Sequence, residues 1–437
     1  MTARTSEDES ARQLRRAERR YDIAVHRHLT RNFTIHLIHG LFGQTGFRLL
    51  NAPTFLPAFV LMLSGGSDFA VGVAASIQSF GLAVTPLIAA NLIQHRTRVL
   101  PTGFLTGALM RLSVLAIALC GLFLNGTAAL LGIYVGLFFF GMFAGMQGVI
   151  FNFLMSKVIP VSKRGRLTGL RNFLAGVTAA GVALLGGNLL LGSEPTAAGY
   201  GGIFLVAFVL TSIGLLSLLW MREPEPPIVR DRQSLTETFR SLPALLRDDP
   251  AFSRYSLARA LATSGRMAMP FYIVYADAQG SLSGGEIGLL TIGFTLAGTF
   301  SNLFWGALAD RSGFRRVFLL SIGLWIGATL MLGFVTGIAG MLLVFIGVGA
   351  ATQGFQHSGL NLTLEFGRRE DLPQRIAIAN STSEFSGALA PLAGGLLATA
   401  FGYGTMFTVA MALLLVGGLL VLLFVPEPRN AALSVPQ

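Results

Sequence analysis

Residues 306–316 read Gly-Ala-Leu-Ala-Asp-Arg-Ser-Gly-Phe-Arg-Arg and form a short charged segment between two long apolar runs. Asp310 and the arginines of this segment would be costly to place in the hydrocarbon of a bilayer. Gly306 lets two helix ends approach each other, and Gly313 lets the backbone turn tightly. The segment therefore predicts a cytoplasmic turn between two membrane-spanning helices.

The composition of the whole chain also indicates a membrane protein. Of its 437 residues, 53% are hydrophobic and 12% are charged, and the mean hydropathy is +0.65. In a soluble globular protein about a quarter of the residues are charged, so the composition excludes this class of protein. Because a helix needs about 20 apolar residues to cross a bilayer, the length accommodates about twelve spans with short loops.

The formal net charge of +11 is carried by short basic clusters between apolar runs. Such clusters are typical of topology signals in membrane proteins, so we predict a lipid bilayer as the surroundings and no nucleic-acid partner. Residues 1–31 are charged and lack an apolar core, and we do not expect them to be a cleavable signal peptide.

The sequence offers little chemistry of the kind that enzymes and metal sites use. Cys120 is the single cysteine and lies inside an apolar run, which excludes an intrachain disulfide and a cysteine-based metal site. We find no nucleotide-binding loop, no histidine cluster with metal-ligand spacing, and no paired carboxylates in the loops. We therefore predict no cofactor, no metal site, no catalytic residues and no enzymatic activity.

Twelve apolar runs predict two sets of six membrane spans, which we number 1 to 12. The first set falls at about residues 32–64, 69–94, 100–124, 128–156, 167–192 and 200–221. The second set falls at about residues 252–278, 284–309, 317–337, 339–364, 375–400 and 404–425. The chain then divides into a cytoplasmic N-terminal segment, two six-helix bundles, a linker and a tail, at residues 1–31, 32–221, 222–250, 251–425 and 426–437.

Basic residues mark every second connection between the spans. The connections after the even-numbered spans are basic, whereas the odd ones contain neither lysine nor arginine, for example residues 64–68, 124–127, 192–199, 279–286 and 336–340. Cytoplasmic loops are enriched in lysine and arginine. We therefore predict that the N-terminus, the C-terminus and the linker face the cytoplasm.

The two sets of spans resemble each other in sequence. The matching stretches are 141–148 with 347–354 and 166–172 with 375–381. The charged segment 306–316 has a weaker counterpart at 90–99, where Gln94 stands in place of Asp310. Internal repeats of this length predict two pseudo-symmetric halves.

The pattern of residues 306–316 resembles the signature loop of the major facilitator superfamily of secondary transporters, which joins the second and third helices of a six-helix bundle. Residues 164–169 resemble the family's second basic loop, and the resemblance extends over about residues 32–425. It implies an all-α integral membrane fold with twelve transmembrane helices in two pseudo-symmetric six-helix bundles. An ordinary basic turn is the alternative interpretation of the segment, and only one of its two copies has the family pattern.

In this family, spans 1, 4, 7 and 10 line a central cavity. Arg48 lies near the middle of span 1 and Arg266 near the middle of span 7. A guanidinium at that depth needs water, a partner or an anionic ligand, and its planar fork suits a carboxylate or a phosphate. Span 1 contains Arg48 and Asn51 just before Pro53, and span 7 contains Arg266 just before Pro270. This pattern resembles the arrangement in the organophosphate antiporters of the superfamily. This resemblance implies an anionic substrate; alternatively, each arginine pairs with a carboxylate such as Glu384 or with freed backbone carbonyls.

Neutral polar side chains on the same spans complete the predicted substrate contacts. Gln147 and Asn152 lie in span 4, and Gln356 and His357 lie in span 10. For Gln147 the alternative is a hydrogen bond that packs two helices together. For His357 the alternative is a polar contact without a role in transport.

Glu384 in span 11 is the clearest acidic residue within a span. A carboxylate placed near an arginine at this depth can bind and release a proton during a transport cycle. We therefore predict that Glu384 couples transport to a proton gradient. The alternative is a static counter-ion for an arginine.

Several other polar residues within the spans have no evident role in the sequence. His36 and His39 enter span 1 near the predicted cytoplasmic surface, where we expect interfacial water to solvate them. Arg111 in span 3 and Arg259 near the start of span 7 have no obvious partner in the sequence.

We predict a cytoplasmic gate between the charged turn and the start of span 5. The N-terminal amides of that span, together with Arg166 and Arg171, favour a negative charge such as that of Asp310. This contact would join the two halves on the cytoplasmic side and hold an outward-facing state. The predicted gating residues are Gly306, Asp310, Arg311, Gly313, Arg315, Arg316, Arg166 and Arg171.

Together these patterns predict a monomeric transporter in the inner membrane of a bacterium. It would use an ion gradient, with a proton as the coupling ion, to move a small organic solute by alternating access, and the arginines favour an anionic substrate. Two alternatives remain at this stage: efflux of neutral or cationic compounds, and a non-transporting assembly or delivery factor with the same fold.

Overall fold

A computed structural model of the chain describes residues 16–93, 95–226, 246–247, 249–366 and 372–425. All regular structure within these ranges is helical. Of the segments predicted above, the tail 426–437 and most of the linker 222–250 lie outside the described residues.

The first half contains spans 1 to 6. Span 1 is broken into two helices, Leu29–Asn51 and Phe55–Leu63, which meet at a bend of 41°. The break contains Pro53, which has no N–H to continue the helical hydrogen bonds. Spans 2 to 6 are the helices Asp68–Ile93, Leu100–Phe123, Gly126–Val158, Val161–Gly186 and Ala197–Ser217.

The second half repeats this plan. Span 7 is also broken, into Pro250–Ser264 and Phe271–Ala278, with a 3-10 turn at Gly265–Ala268 between them. The last helical stretch, Leu372–Phe424, turns at Gly402, whose φ is 80°, and so provides both span 11 and span 12. Spans 8 to 10 are the helices Gly284–Ser312, Phe314–Leu330 and Gly337–Leu364.

These helices confirm the predicted fold class. Within the described residues, nine helical stretches are long and apolar enough to cross a membrane, and the bent pair of span 1 is a tenth. The stretch Leu372–Phe424 counts as two spans because it turns at Gly402, and the broken span 7 brings the number of spans to twelve. The chain is therefore a multi-pass membrane protein built from two similar sets of six spans.

The charged segment 306–316 forms the tight turn that the sequence predicts. Span 8 ends at Ser312 and span 9 begins at Phe314, so that Gly313 alone separates them. Gly313 has a φ of 85° and a ψ of 159°, a conformation that is open almost only to glycine. Both helices are longer at this turn than expected, because glycine reverses the chain within one residue.

We call the end of the molecule that carries this turn and Lys157 the proximal end, and the opposite end the distal end. Lys157 at the end of span 4 forms a buried ion pair with Glu223, which follows span 6. Glu223 also accepts hydrogen bonds from the backbone N–H groups of Val99 and Leu100, at 2.8 Å each, at the start of span 3. This carboxylate therefore holds the proximal ends of three spans of the first half together.

The two halves contact each other from the distal end to the middle of the spans. At the distal end, Tyr403 donates a hydrogen bond of 2.7 Å to Asp68. Farther along, the backbone N–H of Leu392 donates to Ser76 Oγ at 2.9 Å. The backbone N–H of Gly284 donates to the Gly192 carbonyl, and Thr291 Oγ1 donates to Thr54 Oγ1, at 2.8 Å each. The halves are thus joined on the distal side.

Candidate substrate and coupling site

Arg266 and Glu384 form an ion pair at the break in span 7. Arg266 belongs to the 3-10 turn Gly265–Ala268, and its Nη1 lies 3.3 Å from Oε2 of Glu384 in span 11. The side chains are 29% and 32% exposed, so neither is sealed within the bundle. A methyl group on Gly387, in the next turn of span 11, would lie 3.1 Å from the same Nη1. The guanidinium therefore lies close against the backbone of span 11.

Arg48 occupies the matching position in span 1 but has different partners. It lies in the last turn of Leu29–Asn51, just before the break. Its Nη1 donates to Thr299 Oγ1 of span 8 at 2.9 Å, and its Nη2 donates to the Asn172 carbonyl of span 5 at 3.3 Å. Both acceptors are neutral. Among the described residues, Arg48 has no carboxylate partner. Arg266 pairs with Glu384, which is the alternative interpretation given above for this arginine.

Asn51 lies next to Arg48 on the exposed side of the same turn. Its Oδ1 accepts a hydrogen bond of 2.6 Å from Gln78 Nε2 of span 2, and its Nδ2 donates to the Phe47 carbonyl at 2.8 Å. Gln78 was not among the predicted site residues. A polar amide within an apolar span was the signal that could have identified it.

The neutral residues predicted in spans 4 and 10 differ in burial. Gln147 is buried, and its Oε1 accepts a hydrogen bond of 2.8 Å from Thr106 in span 3. This contact is the helix-packing bond that was the alternative for Gln147. Asn152, Gln356 and His357 are exposed.

His36 and His39 are not solvated at a membrane surface, so that expectation is wrong. Their side chains are 0% and 9% exposed, and none of their ring nitrogens has a hydrogen-bond partner among the described residues. Both rings pack against Phe151 of span 4, with centroids 5.1 and 4.9 Å away. The helix is turned so that this face of span 1 points into the first half.

Arg171, a predicted gating residue, lies in the same cluster. Its guanidinium carbon is 4.5 Å from the centroid of the Phe151 ring. A methyl group on Gly40 of span 1 would lie 1.7 Å from Cδ of Arg171, so this glycine makes room for the side chain. Arg171 is therefore directed into the first half.

Two other buried arginines bond to neighbouring helices. Arg111 is 3% exposed; its Nε donates to the Thr211 carbonyl at 2.6 Å and its Nη1 to the Gly107 carbonyl at 2.7 Å. Arg259 is 7% exposed and donates to Thr363 Oγ1 and Asn380 Oδ1, at 3.3 and 3.1 Å. Neutral oxygens thus accept two hydrogen bonds from each of these arginines, for which the sequence showed no partner.

Of the other predicted gating residues, Arg166 lies near the start of span 5, and the rest lie in the charged segment 306–316. Arg315 donates to the Leu422 carbonyl at the end of span 12, at 2.7 Å. Gly313 forms the turn. Gly306 lies two turns earlier in span 8, where a methyl group would meet no atom within 4 Å, so the expectation that it lets two helix ends approach each other is wrong. The exposed members of the set are Asp310, Arg311, Arg316 and Arg166.

The Major Facilitator Superfamily family model matches residues 41–280 and 255–436, which covers both halves. The chain belongs to this superfamily. The match confirms the resemblance that residues 306–316 indicated and accounts for the two similar sets of spans. The family match therefore indicates transport across a membrane.

The curated relatives of this superfamily member include an anion transporter. The protein named "Probable nitrate/nitrite transporter NarK2" from Mycobacterium tuberculosis, recorded for strains CDC 1551 and H37Rv, is 27% identical over 246 residues. This alignment covers 55% of the chain and 59% of the relative. The chain thus matches only about three fifths of the relative's length.

Solved structures of other transporters share the fold. A D-xylose–proton symporter superposes with a TM-score of 0.70 at 13% identity, covering 91% of this chain and 98% of the symporter. The nucleoside transporter NupG gives 0.66 at 14% identity, covering 93% of this chain and 100% of the transporter. A bacterial homologue of ferroportin in an inward-facing state gives 0.67 at 14% identity, covering 91% and 99%. At these identities the similarity concerns the fold alone.

Proposed function

We propose that this protein is a secondary active transporter that moves a small organic anion together with a proton. The observation that carries the proposal is the ion pair between Arg266 and Glu384, which lies at the break of span 7 and is partly exposed. An arginine held by a carboxylate can exchange that partner for the carboxylate or phosphate of a substrate.

The exchange supplies a coupling mechanism. When Glu384 is ionised, it neutralises Arg266 and competes with an anionic substrate for the guanidinium. When Glu384 binds a proton, the pair loses its attraction and leaves Arg266 with an uncompensated charge, which is costly away from water. An anion that binds Arg266 then restores neutrality. Proton and anion are therefore loaded together.

Arg48 would provide the second contact for the substrate. Its present partners, Thr299 and the carbonyl of Asn172, are neutral and come from spans 8 and 5. An anion bound by Arg48 and Arg266 would thus contact both halves, so that its binding could influence how the halves move. A relative named as a nitrate/nitrite transporter is consistent with an anionic substrate.

The orientation follows from the distribution of charge. Lys157, Arg315 and the exposed residues of the charged turn lie at the proximal end, and positive residues favour the cytoplasm. In the inner membrane of a bacterium, the proximal end and both termini would therefore face inward. Because the halves are joined at the distal end, the structure would correspond to a state open to the cytoplasm.

In the opposite state the proximal ends must approach each other. The exposed Asp310 and Arg166 are the groups that we propose to meet there, as a cytoplasmic gate that holds the outward-facing state. We further propose that the monomer is the functional unit, because one chain provides both halves of the cavity.

The test of the proposed substrate class is a thermal-shift screen of the purified protein against carboxylates, phosphates, neutral sugars and lipophilic cations. We expect an organic anion to raise the melting temperature, and we expect Arg48→Ala and Arg266→Ala each to remove that shift. Glu194→Gln, in an exposed distal loop, is the control that should retain it. Stabilisation by neutral or cationic compounds alone, unchanged in both arginine variants, would contradict the proposal and indicate an exporter of such compounds.

A further inference from the structure

The interior of the first half contains positive charge without a carboxylate to balance it. Asp68 is the only acidic residue between Asn32 and Ser193. It lies at the distal end, where it accepts a hydrogen bond from Tyr403. Arg111 and Arg171 therefore lie among the helices without an acidic partner on spans 1 to 5. A buried cation of this kind is costly unless an anion compensates it.

Buried hydrogen-bonding groups near these arginines are also unsatisfied. Neither ring nitrogen of His36 or of His39 has a partner among the described residues, and the same holds for Nη1 of Arg171. Buried polar groups in proteins are almost always hydrogen-bonded, to protein, water or a ligand. Their concentration in one cluster indicates that water or a small ligand lies between these helices.

The space for such a ligand lies beside Gly43. Arg111 directs two nitrogens at backbone carbonyls, but its Nη2 makes no hydrogen bond to a described residue. A methyl group built on Gly43 would lie 3.9 Å from Arg111 Nη2 and 3.9 Å from His39 Nε2. Both nitrogens thus face the space that remains because residue 43 has no side chain.

We propose that this space binds a small monovalent inorganic anion, such as chloride or nitrate. Arg111 Nη2 and His39 Nε2 donate to the anion, and the charge of the anion balances that of Arg111. A water molecule could accept the same hydrogen bonds but would leave the charge uncompensated. The site holds span 1 against span 3 and is separate from the ion pair of Arg266 and Glu384.

The charged groups around the site, Arg111 on span 3 and Arg171 on span 5, are both cationic, whereas spans 4 and 6 contribute no charged group to it. The titratable side chain of His36 lies on span 1 itself. Span 4 contributes the ring of Phe151, and span 6 the carbonyl of Thr211, which Arg111 Nε already occupies. A metal cation would meet repulsion from both arginines and is not expected.

The test is a titration of the purified full chain with sodium bromide, chloride or nitrate in a gluconate buffer of constant ionic strength. We expect a saturable rise in melting temperature in the wild type and its loss in Gly43→Ala, because the methyl group fills the space at ordinary contact distances. Gly181→Ala in span 5, where a methyl group would meet no atom within 4 Å, should retain the rise. Arg266→Ala should retain it as well, which separates this site from the proposed substrate site.

Anomalous scattering from crystals grown in bromide gives a second measurement that does not depend on the folding of any variant. A bromide peak between Arg111 Nη2 and His39 Nε2 is the expected result. A water molecule at that position without anomalous signal, or an anion-dependent shift that Gly43→Ala retains, would overturn the proposal.

Discussion

Among single residues, the carboxylate of Glu223 is a buried charge held by several partners. It is 3% exposed, pairs with the equally buried Lys157, and accepts hydrogen bonds from the first amides of span 3. The positive end of a helix and an ammonium group therefore converge on one carboxylate. Lys157 in turn donates to the Thr97 carbonyl at 2.6 Å, which links the connection between spans 2 and 3 to span 4.

We predict that Glu223→Gln destabilises the protein by about 3–5 kcal/mol, because it leaves Lys157 buried without a counter-charge. The matched control is Glu225→Gln, two residues later, whose partner is Arg98 at 2.9 Å. That pair is 66% and 59% exposed, so its loss should change stability by about 1 kcal/mol or less. Thermal unfolding of both variants in the same detergent measures the difference, and equal melting temperatures would contradict the assignment.

At the scale of elements, the breaks in spans 1 and 7 place the two central arginines. In a continuous helix, all backbone N–H and C=O groups near Arg48 and Arg266 would be hydrogen-bonded within the helix. Instead, the break at Pro53 follows Arg48, and Arg266 lies within the 3-10 turn that interrupts span 7 before Pro270. The two sites differ in the partner of the guanidinium: an acidic side chain for Arg266 and neutral oxygens for Arg48.

The turn between spans 8 and 9 depends on a single glycine. We predict that Gly313→Ala destabilises the protein by about 1–3 kcal/mol, because its φ of 85° with ψ of 159° is nearly closed to other residues. Gly306→Ala is the control within the same segment: it is helical, a methyl group there would meet no atom within 4 Å, and alanine favours a helix. The melting temperatures should therefore move in opposite directions, and a lower value for Gly306→Ala alone would refute this account of the turn.

At the scale of the whole molecule, the contacts between the halves are asymmetric. Hydrogen bonds run from Asp68 with Tyr403 at the distal end to Arg48 with Thr299 near the middle of the spans. An alternating-access cycle would break the distal contacts and form proximal ones. The charged turn lies where the proximal contacts would form, which is why we retain it as the proposed gate.

The sequence predicted this architecture well because long apolar runs and basic loops depend on the bilayer alone. The turn at 306–316 and the twelve spans are cases of this kind. The predicted surroundings of His36 and His39 were wrong, because the depth of a residue along a span does not determine on which face of the helix it lies. The partners of Arg111 were missed for another reason: they are backbone carbonyls, which carry no signature in sequence.

In the proposed cycle, protonation of Glu384 frees Arg266 for an anionic substrate. The decisive experiment is uptake of the anion identified in the thermal-shift screen into proteoliposomes, driven by an imposed proton gradient. We predict that the wild type and the control Glu194→Gln accumulate the anion. Glu384→Gln, which resembles the protonated state, should exchange anion across the membrane without accumulating it. Undiminished proton-driven accumulation by Glu384→Gln would contradict this cycle.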